Sequence, residues 1–254
     1  GRIIKHYGNN IYVFGSCTNL QDKENFLLIK YDTAGTQQWV KKYFDVDDIS
    51  QDMILDKIGN IYVTGTSFTM GLGWDIGIIK YSPEGNIIWS RRFDYNNGNG
   101  DAPNSIAIDS LNNIVITGFS IDKFSYYTSI LTVKYDSSGS LIWNKVYFRN
   151  VINNYDVGSY IGADKNNNLY VTGYITKNDL NDRDYITIKY KPNGDTVWIR
   201  TFGGPGNQMD YPSSLVIDNR NFAYITGQSY GIGTNFDYFT IVYDTLGNTF
   251  WSNR

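Results

Sequence analysis

The chain has 254 residues, 41% of them hydrophobic and 16% aromatic, which is ample for a packed core and too much for a disordered chain. A net charge of −3 leaves no basic footprint for nucleic acid, and no apolar run reaches the length of a membrane-spanning helix. A single cysteine, Cys17, excludes an internal disulfide, and a single histidine, His6, leaves little for imidazole catalysis or a zinc site.

The first extended segment, Arg2-Ile3-Ile4-Lys5-His6, leads through a turn into Asn10-Ile11-Tyr12-Val13-Phe14-Gly15. A third, Phe26-Leu27-Leu28-Ile29, is continuously apolar, and a turn at Gly35 leads into a fourth that carries Trp39. The second phrase returns at Asn60, Asn113, Asn168 and Phe222, ending each time in glycine: Gly65, Gly118, Gly173 and Gly227. These glycines are spaced by 50, 53, 55 and 54 residues. Trp89, Trp143, Trp198 and Trp251 keep the same interval, each 24 or 25 residues after its glycine. Between them run strands such as Ser105–Asp109 and Asp184–Tyr190, separated by short turns where Gly or Asn takes positive φ at little cost.

Five copies of a four-stranded antiparallel unit predict an all-β chain, a β-propeller of five blades. The blades fall near residues 1–45, 46–97, 98–150, 151–204 and 205–254, within a single domain covering 1–254. Apolar runs without alternation fit a sheet packed on both faces. Whole copies at both ends favour closure of copy five on copy one; a fragment of a larger propeller or an open array is the alternative. Lys41, Arg91, Lys145 and Arg200, two residues after their tryptophans, are expected to protect an exposed outer edge.

The phrases Asp56–Gly65, Asp184–Tyr190 and Gly194–Trp198 resemble the SBBP repeats of bacterial exported proteins, named for a seven-bladed β-propeller. The resemblance covers essentially the whole chain and implies an extracellular or cell-surface location more than a reaction. Two copies depart from the pattern: His6 stands where the others have Asp56, Asp109, Asp164 and Asp218, and Val242 where they have Lys30, Lys80, Lys134 and Lys189.

The loops between strands two and three, and between one copy and the next, share one end of the blades and vary from copy to copy. Function is expected on such loops, held by a rigid scaffold. They carry Phe68, Trp74, Phe124, Tyr126, Tyr127, Tyr230 and Phe236, expected to bind a partner protein or, alternatively, to stack on a surface glycan; capping of the blade interfaces is the bland reading. Asp48, Asp101, Asp156 and Asp210, with Asp75, Asp184 and Asp237, recur there as expected caps of backbone N–H groups, calcium being the lesser reading. Asp179–Asp184 is the densest acidic run. With no catalytic motif, a non-catalytic recognition module without a cofactor is expected, ahead of a lectin-like propeller and a glycoside hydrolase.

Overall fold

The computed structural model describes residues 1–18, 23–43, 47–70, 73–95, 99–149, 151, 154–177, 182–206 and 208–254. Twenty strands form five four-stranded antiparallel sheets. Blade one holds β1 (Ile3–Tyr7), β2 (Asn10–Thr18), β3 (Glu24–Asp32) and β4 (Gln37–Tyr43), and blade two β5 (Asp47–Leu55), β6 (Ile61–Thr69), β7 (Gly73–Tyr81) and β8 (Ile87–Phe93). Blade three holds β9 (Gly100–Ile108), β10 (Ile114–Ile121), β11 (Thr128–Tyr135) and β12 (Leu141–Tyr147). Blade four holds β13 (Val157–Ala163), β14 (Leu169–Thr176), β15 (Arg183–Tyr190) and β16 (Thr196–Phe202), and blade five β17 (Asp210–Ile217), β18 (Ala223–Gly231), β19 (Asn235–Tyr243) and β20 (Thr249–Asn253). Among the described residues no helix is long and apolar enough to cross a membrane.

The chain divides into two compact units, residues 1–106 with 138–140, and 107–137 with 141–254. In the first, Tyr12, Phe14, Phe26 and Leu28 of blade one pack on Met53, Ile61, Val63, Ile79 and Tyr81 of blade two, none more than 2% exposed. In the second, Tyr170, Tyr185 and Trp198 of blade four meet Ala223, Ile225, Phe239, Ile241 and Tyr243 of blade five. Successive strand residues point to opposite faces, so a two-sided blade needs apolar side chains at both parities. Burial of each such side chain contributes about 1.5–3 kcal/mol.

The turn end repeats one device. Asp56 accepts from Ile58 N–H at 3.0 Å and Asn60 N–H at 2.9 Å, while its second oxygen takes the Asn60 amide at 2.7 Å. Asp109, Asp164 and Asp244 make the same set, and Asp32 a close variant with Gln38. Copy one corrects the sequence alignment. His6 pairs with Ile11 as Leu55 pairs with Ile61, and a turn one residue shorter puts Tyr7, not His6, at the aspartate position.

A second correction concerns the basic residues of the fourth strands. Arg91 Nε donates to Gly139 O and Arg200 Nε to Gly247 O, both at 2.7 Å, so these side chains clamp the following blade's turn rather than guarding a free edge. The strand-three lysines reach the same turns: Lys30 Nζ to Pro83 O, Lys134 Nζ to Pro192 O and Lys189 Nζ to Thr245 O. Between the cations lies the repeat tryptophan, and Gly247 (φ +82) presses on Trp198, where a Cβ would stand 2.8 Å from the ring. Only glycine fits that turn. Gly65 meets a different constraint, since a Cβ there would stand 2.6 Å from the Phe26 ring of the preceding blade.

Candidate functional site

The loop end is built on the entry of each first strand. Asp48, Asp101, Asp156 and Asp210 are all at most 2% exposed and open the descent into β5, β9, β13 and β17. Asp210 accepts from Gly204 N–H at 2.6 Å and Tyr230 N–H at 3.1 Å, tying the incoming loop to blade five's own β18. Asp156 takes Arg149 Nε at 2.7 Å and Thr176 N–H at 3.0 Å. The expected role as backbone caps describes the contacts of Asp210 and, with a cation added, those of Asp156.

Asp75 and Asp184 open β7 and β15 and are likewise buried. Arg92 pairs with Asp75 at 2.6 Å and Lys177 with Asp184 at 2.7 Å. Burial raises the Asp75 carboxyl above its ordinary pKa against the pull of Arg92, and neighbouring Asp94 adds to the rise. Asp184 is raised by burial in the same way, against Lys177 and with Asp210 adding repulsion. Asp75, Asp94 and Asp101 bring carboxylate oxygens within 4.8 Å of one another. Calcium takes six to eight oxygen ligands, whereas the cation already placed at this group is the Arg92 guanidinium. Of the acidic run, residues 179–181 lie outside the described residues.

The seven aromatic residues singled out in the sequence divide into two kinds. Six of the eight rings concerned form three pairs: Phe68 with Trp74 at 5.2 Å, Tyr230 with Phe236 at 5.4 Å, and Tyr127 with Tyr155 at 5.6 Å. The first two pairs are cross-strand partners in register, a signal that was available from counting outward along each hairpin. Tyr155 was missed because the strand that would flag it begins two residues later.

Phe124 and Tyr126 are the other kind, 87% and 65% exposed. Asp122 builds the turn that carries them. Its Oδ1 accepts from Phe124 N–H at 3.0 Å, Ser125 N–H at 2.8 Å and the Ser125 hydroxyl at 2.8 Å. Those bonds, the Ser125 N–H first, hold the carboxyl below the usual range. Tyr126 sits at φ +60, a left-handed conformation that an aromatic residue adopts only when its surroundings impose it. The turn thus holds two exposed rings in a fixed place.

Two cavities lie among the described residues. One of about 110 Å³ in the first unit is lined by Phe26, Asp48, Arg91 and Arg92, too small for a typical organic ligand. Another, about 530 Å³, is an open groove on blade five lined by Gln228, Phe236, Asp237 and Tyr238.

These sheets and their repeated turns define a β-propeller protein of five four-stranded blades. It carries the SBBP β-propeller repeat, matched over residues 197–237, from β16 of blade four to the start of β19 of blade five. The chain is 29% identical over 138 residues to the uncharacterised WD repeat-containing protein L264 of Acanthamoeba polyphaga mimivirus, an overlap of 48% of this chain and 9% of that protein. The chain therefore spans under a tenth of that relative's length. Among solved structures it is similar to a protein of unknown function from Bacteroides caccae, with a TM-score of 0.56, 11% identity, and coverage of 96% of this chain and 72% of that one. It is also similar to an ulvan lyase, a polysaccharide lyase, with a TM-score of 0.60, 8% identity, and coverage of 96% and 68%. At such identities the likeness is one of fold.

Proposed function

We infer that this chain is a non-catalytic recognition module of an exported or surface-associated bacterial protein, and that it binds a partner protein through the loop end of its blades. The observation that carries the reading is the Asp122 turn. It spends a left-handed tyrosine and three hydrogen bonds to hold Phe124 and Tyr126 in solvent, where aromatic side chains gain nothing unless something covers them. A lack of catalysis is supported by the loop-end carboxylates, since Asp75, Asp156 and Asp184 are buried and each is engaged by Arg92, Arg149 or Lys177. The extracellular placement rests on the SBBP repeat at residues 197–237.

The test is retention of proteins from a bacterial surface fraction on the immobilised chain and on its Phe124→Ala/Tyr126→Ala variant, quantified by mass spectrometry. The reading expects a partner held by the parent and depleted at least about tenfold by the variant, as loss of central aromatic anchors does. Equal retention by both chains rejects it. Binding on a glycan array that the same variant loses would move the reading to a carbohydrate ligand.

A further inference from the structure

Arg183 opens β15 at the loop end, and its backbone is fixed on the segment that enters blade five. Its N–H donates to Gln208 O at 3.2 Å, and residue 183 forms a parallel bridge with Met209. The guanidinium lies in a corner made by two rings, 4.8 Å from the centre of Tyr174 in β14 and 5.4 Å from that of Tyr211 in β17. The rings themselves meet edge to face, with centres 5.2 Å apart and planes at 86°. Strands β14, β15 and β17 all belong to the second compact unit. The trio is not repeated. Its positions hold Phe119, Thr128 and Val157 between blades three and four, and Ser16, Glu24 and Ile49 between blades one and two.

The contacts within this corner leave hydrogen-bond donors unspent. Arg183 Nη1 donates to the Tyr211 hydroxyl, Nε is buried with no partner, and Nη2 donates to no described atom. Tyr211 in turn gives its hydroxyl hydrogen to Met209 Sδ at 3.0 Å, and a thioether is a weak acceptor. Other arginines of the loop end are neutralised: Arg92 meets Asp75 and Arg149 meets Asp156, both at 2.6 Å. Among the described residues Arg183 forms no ion pair, and Lys177 of the same hairpin is already held by Asp184. Burial raises the Tyr174 hydroxyl above its ordinary pKa, against the pull of Arg183, so its ring stays a neutral phenol beside the cation.

We propose that Arg183, Tyr174 and Tyr211 form a binding site for a carboxylate group, with Arg183 Nη2 and the Tyr211 hydroxyl donating to its two oxygens. A guanidinium and a hydroxyl without a good acceptor call for a ligand that only accepts, and the one permanent charge calls for an anion. That anion carries a single charge. One guanidinium balances one negative charge, and the buried carboxylate of Asp156 already bears on Tyr174, so a doubly charged phosphate would meet repulsion. The Tyr174 ring fixes the guanidinium plane, which leaves less side-chain freedom to lose on binding. The site lies between blades four and five rather than on the Asp122 turn, and the proposal stands without the partner-binding reading.

The buried Nε–H supplies the readout, because shielding from water gives it a slowly exchanging NMR signal, assigned by its loss in Arg183→Lys. Sodium acetate is titrated into the ¹⁵N-labelled chain at neutral pH, against sodium chloride at matched ionic strength. The expected result is a shift of the Arg183 Nε–H signal that saturates at millimolar acetate and is absent with chloride. Tyr211→Phe keeps the ring and removes the hydroxyl, and should weaken acetate binding about tenfold. If that variant fails to fold, the parent's acetate and chloride titrations decide. Equal responses to acetate and chloride overturn the proposal, as does no response, unchanged affinity in a folded Tyr211→Phe, or tighter binding of inorganic phosphate. N-acetylglutamate and glucuronate, compared in the same way, separate a peptide acid from a sugar acid as the source of the carboxylate. None of these readouts involves Phe124 or Tyr126, so failure here leaves the partner-binding reading untouched.

Discussion

At the turn end of the blades the aspartates Asp109, Asp218 and Asp244 are held below the ordinary carboxylate range, while at the loop end Asp75, Asp156 and Asp184 are raised above it. Burial opposes ionisation at both ends. At the turn end it is outweighed by nearby donors, Asn113 of the turn and Lys134 of β11 for Asp109, or Phe222 N–H and Arg220 of the turn for Asp218, which falls to about 2. At the loop end burial prevails over the single cation each acid receives. The difference teaches where each end gets its order. The turn aspartates take backbone N–H groups within four residues of chain, whereas Asp75, Asp156 and Asp184 each lean on a long basic side chain, Arg92, Arg149 or Lys177.

The largest expected effect breaks the turn end. Lys134 pairs with Asp109 at 2.9 Å, with the two side chains 2% and 0% exposed. Asp109→Asn leaves that ammonium buried without its counter-charge and should cost about 3–5 kcal/mol in urea unfolding. Lys134→Met should cost less, because Leu111 and Asn113 N–H groups still satisfy the carboxylate. Equal losses would show that the ion pair, and not the turn, holds Asp109.

How much of this was legible depended on sequence distance. Strand period, turn glycines and the Asp–Asn turn lie within a few residues of one another, so the five four-stranded sheets could be read directly. The clamp could not, because Lys134 and Pro192 O are 58 residues apart and join only when one blade packs on the next. For the same reason Arg91 and Arg200 looked like edge charges, and His6 was misaligned where a turn is one residue shorter. At the loop end, sequence could not separate the paired Phe68 and Trp74 from the exposed Phe124 and Tyr126.

A middle-sized effect sharpens the contrast through pH. The Asp109 carboxyl is lowered on folding, so its stabilisation is present above the unfolded value of about 3.9 and is lost as pH falls through the folded one. Asp156 is raised, so the folded chain binds its proton more tightly, and its contribution declines as pH climbs from about 3.9 through the folded value. Unfolding midpoints between acid and neutral pH should therefore show the parent's advantage over Asp109→Asn shrinking in acid. Its advantage over Asp156→Asn should grow there. Parallel slopes would remove the electrostatic distinction between the two ends.

The smallest effect on stability is expected where the functional reading is strongest. Tyr126 holds φ +60 with 65% of its surface in solvent, so Tyr126→Gly relieves a backbone cost and forfeits little packing. Thermal unfolding should place this variant within about 0.5 kcal/mol of the parent, on either side, since glycine's greater freedom in the unfolded chain offsets part of the gain. A loss of several times that size would mean that the Tyr126 ring supports the scaffold, and the Asp122 turn would then belong with the turn end as architecture. A neutral result combined with lost partner retention would leave the ring only one use. Its cost to the fold would then be explained by what it touches outside the chain, which is the property that distinguishes the loop end from every satisfied aspartate at the other.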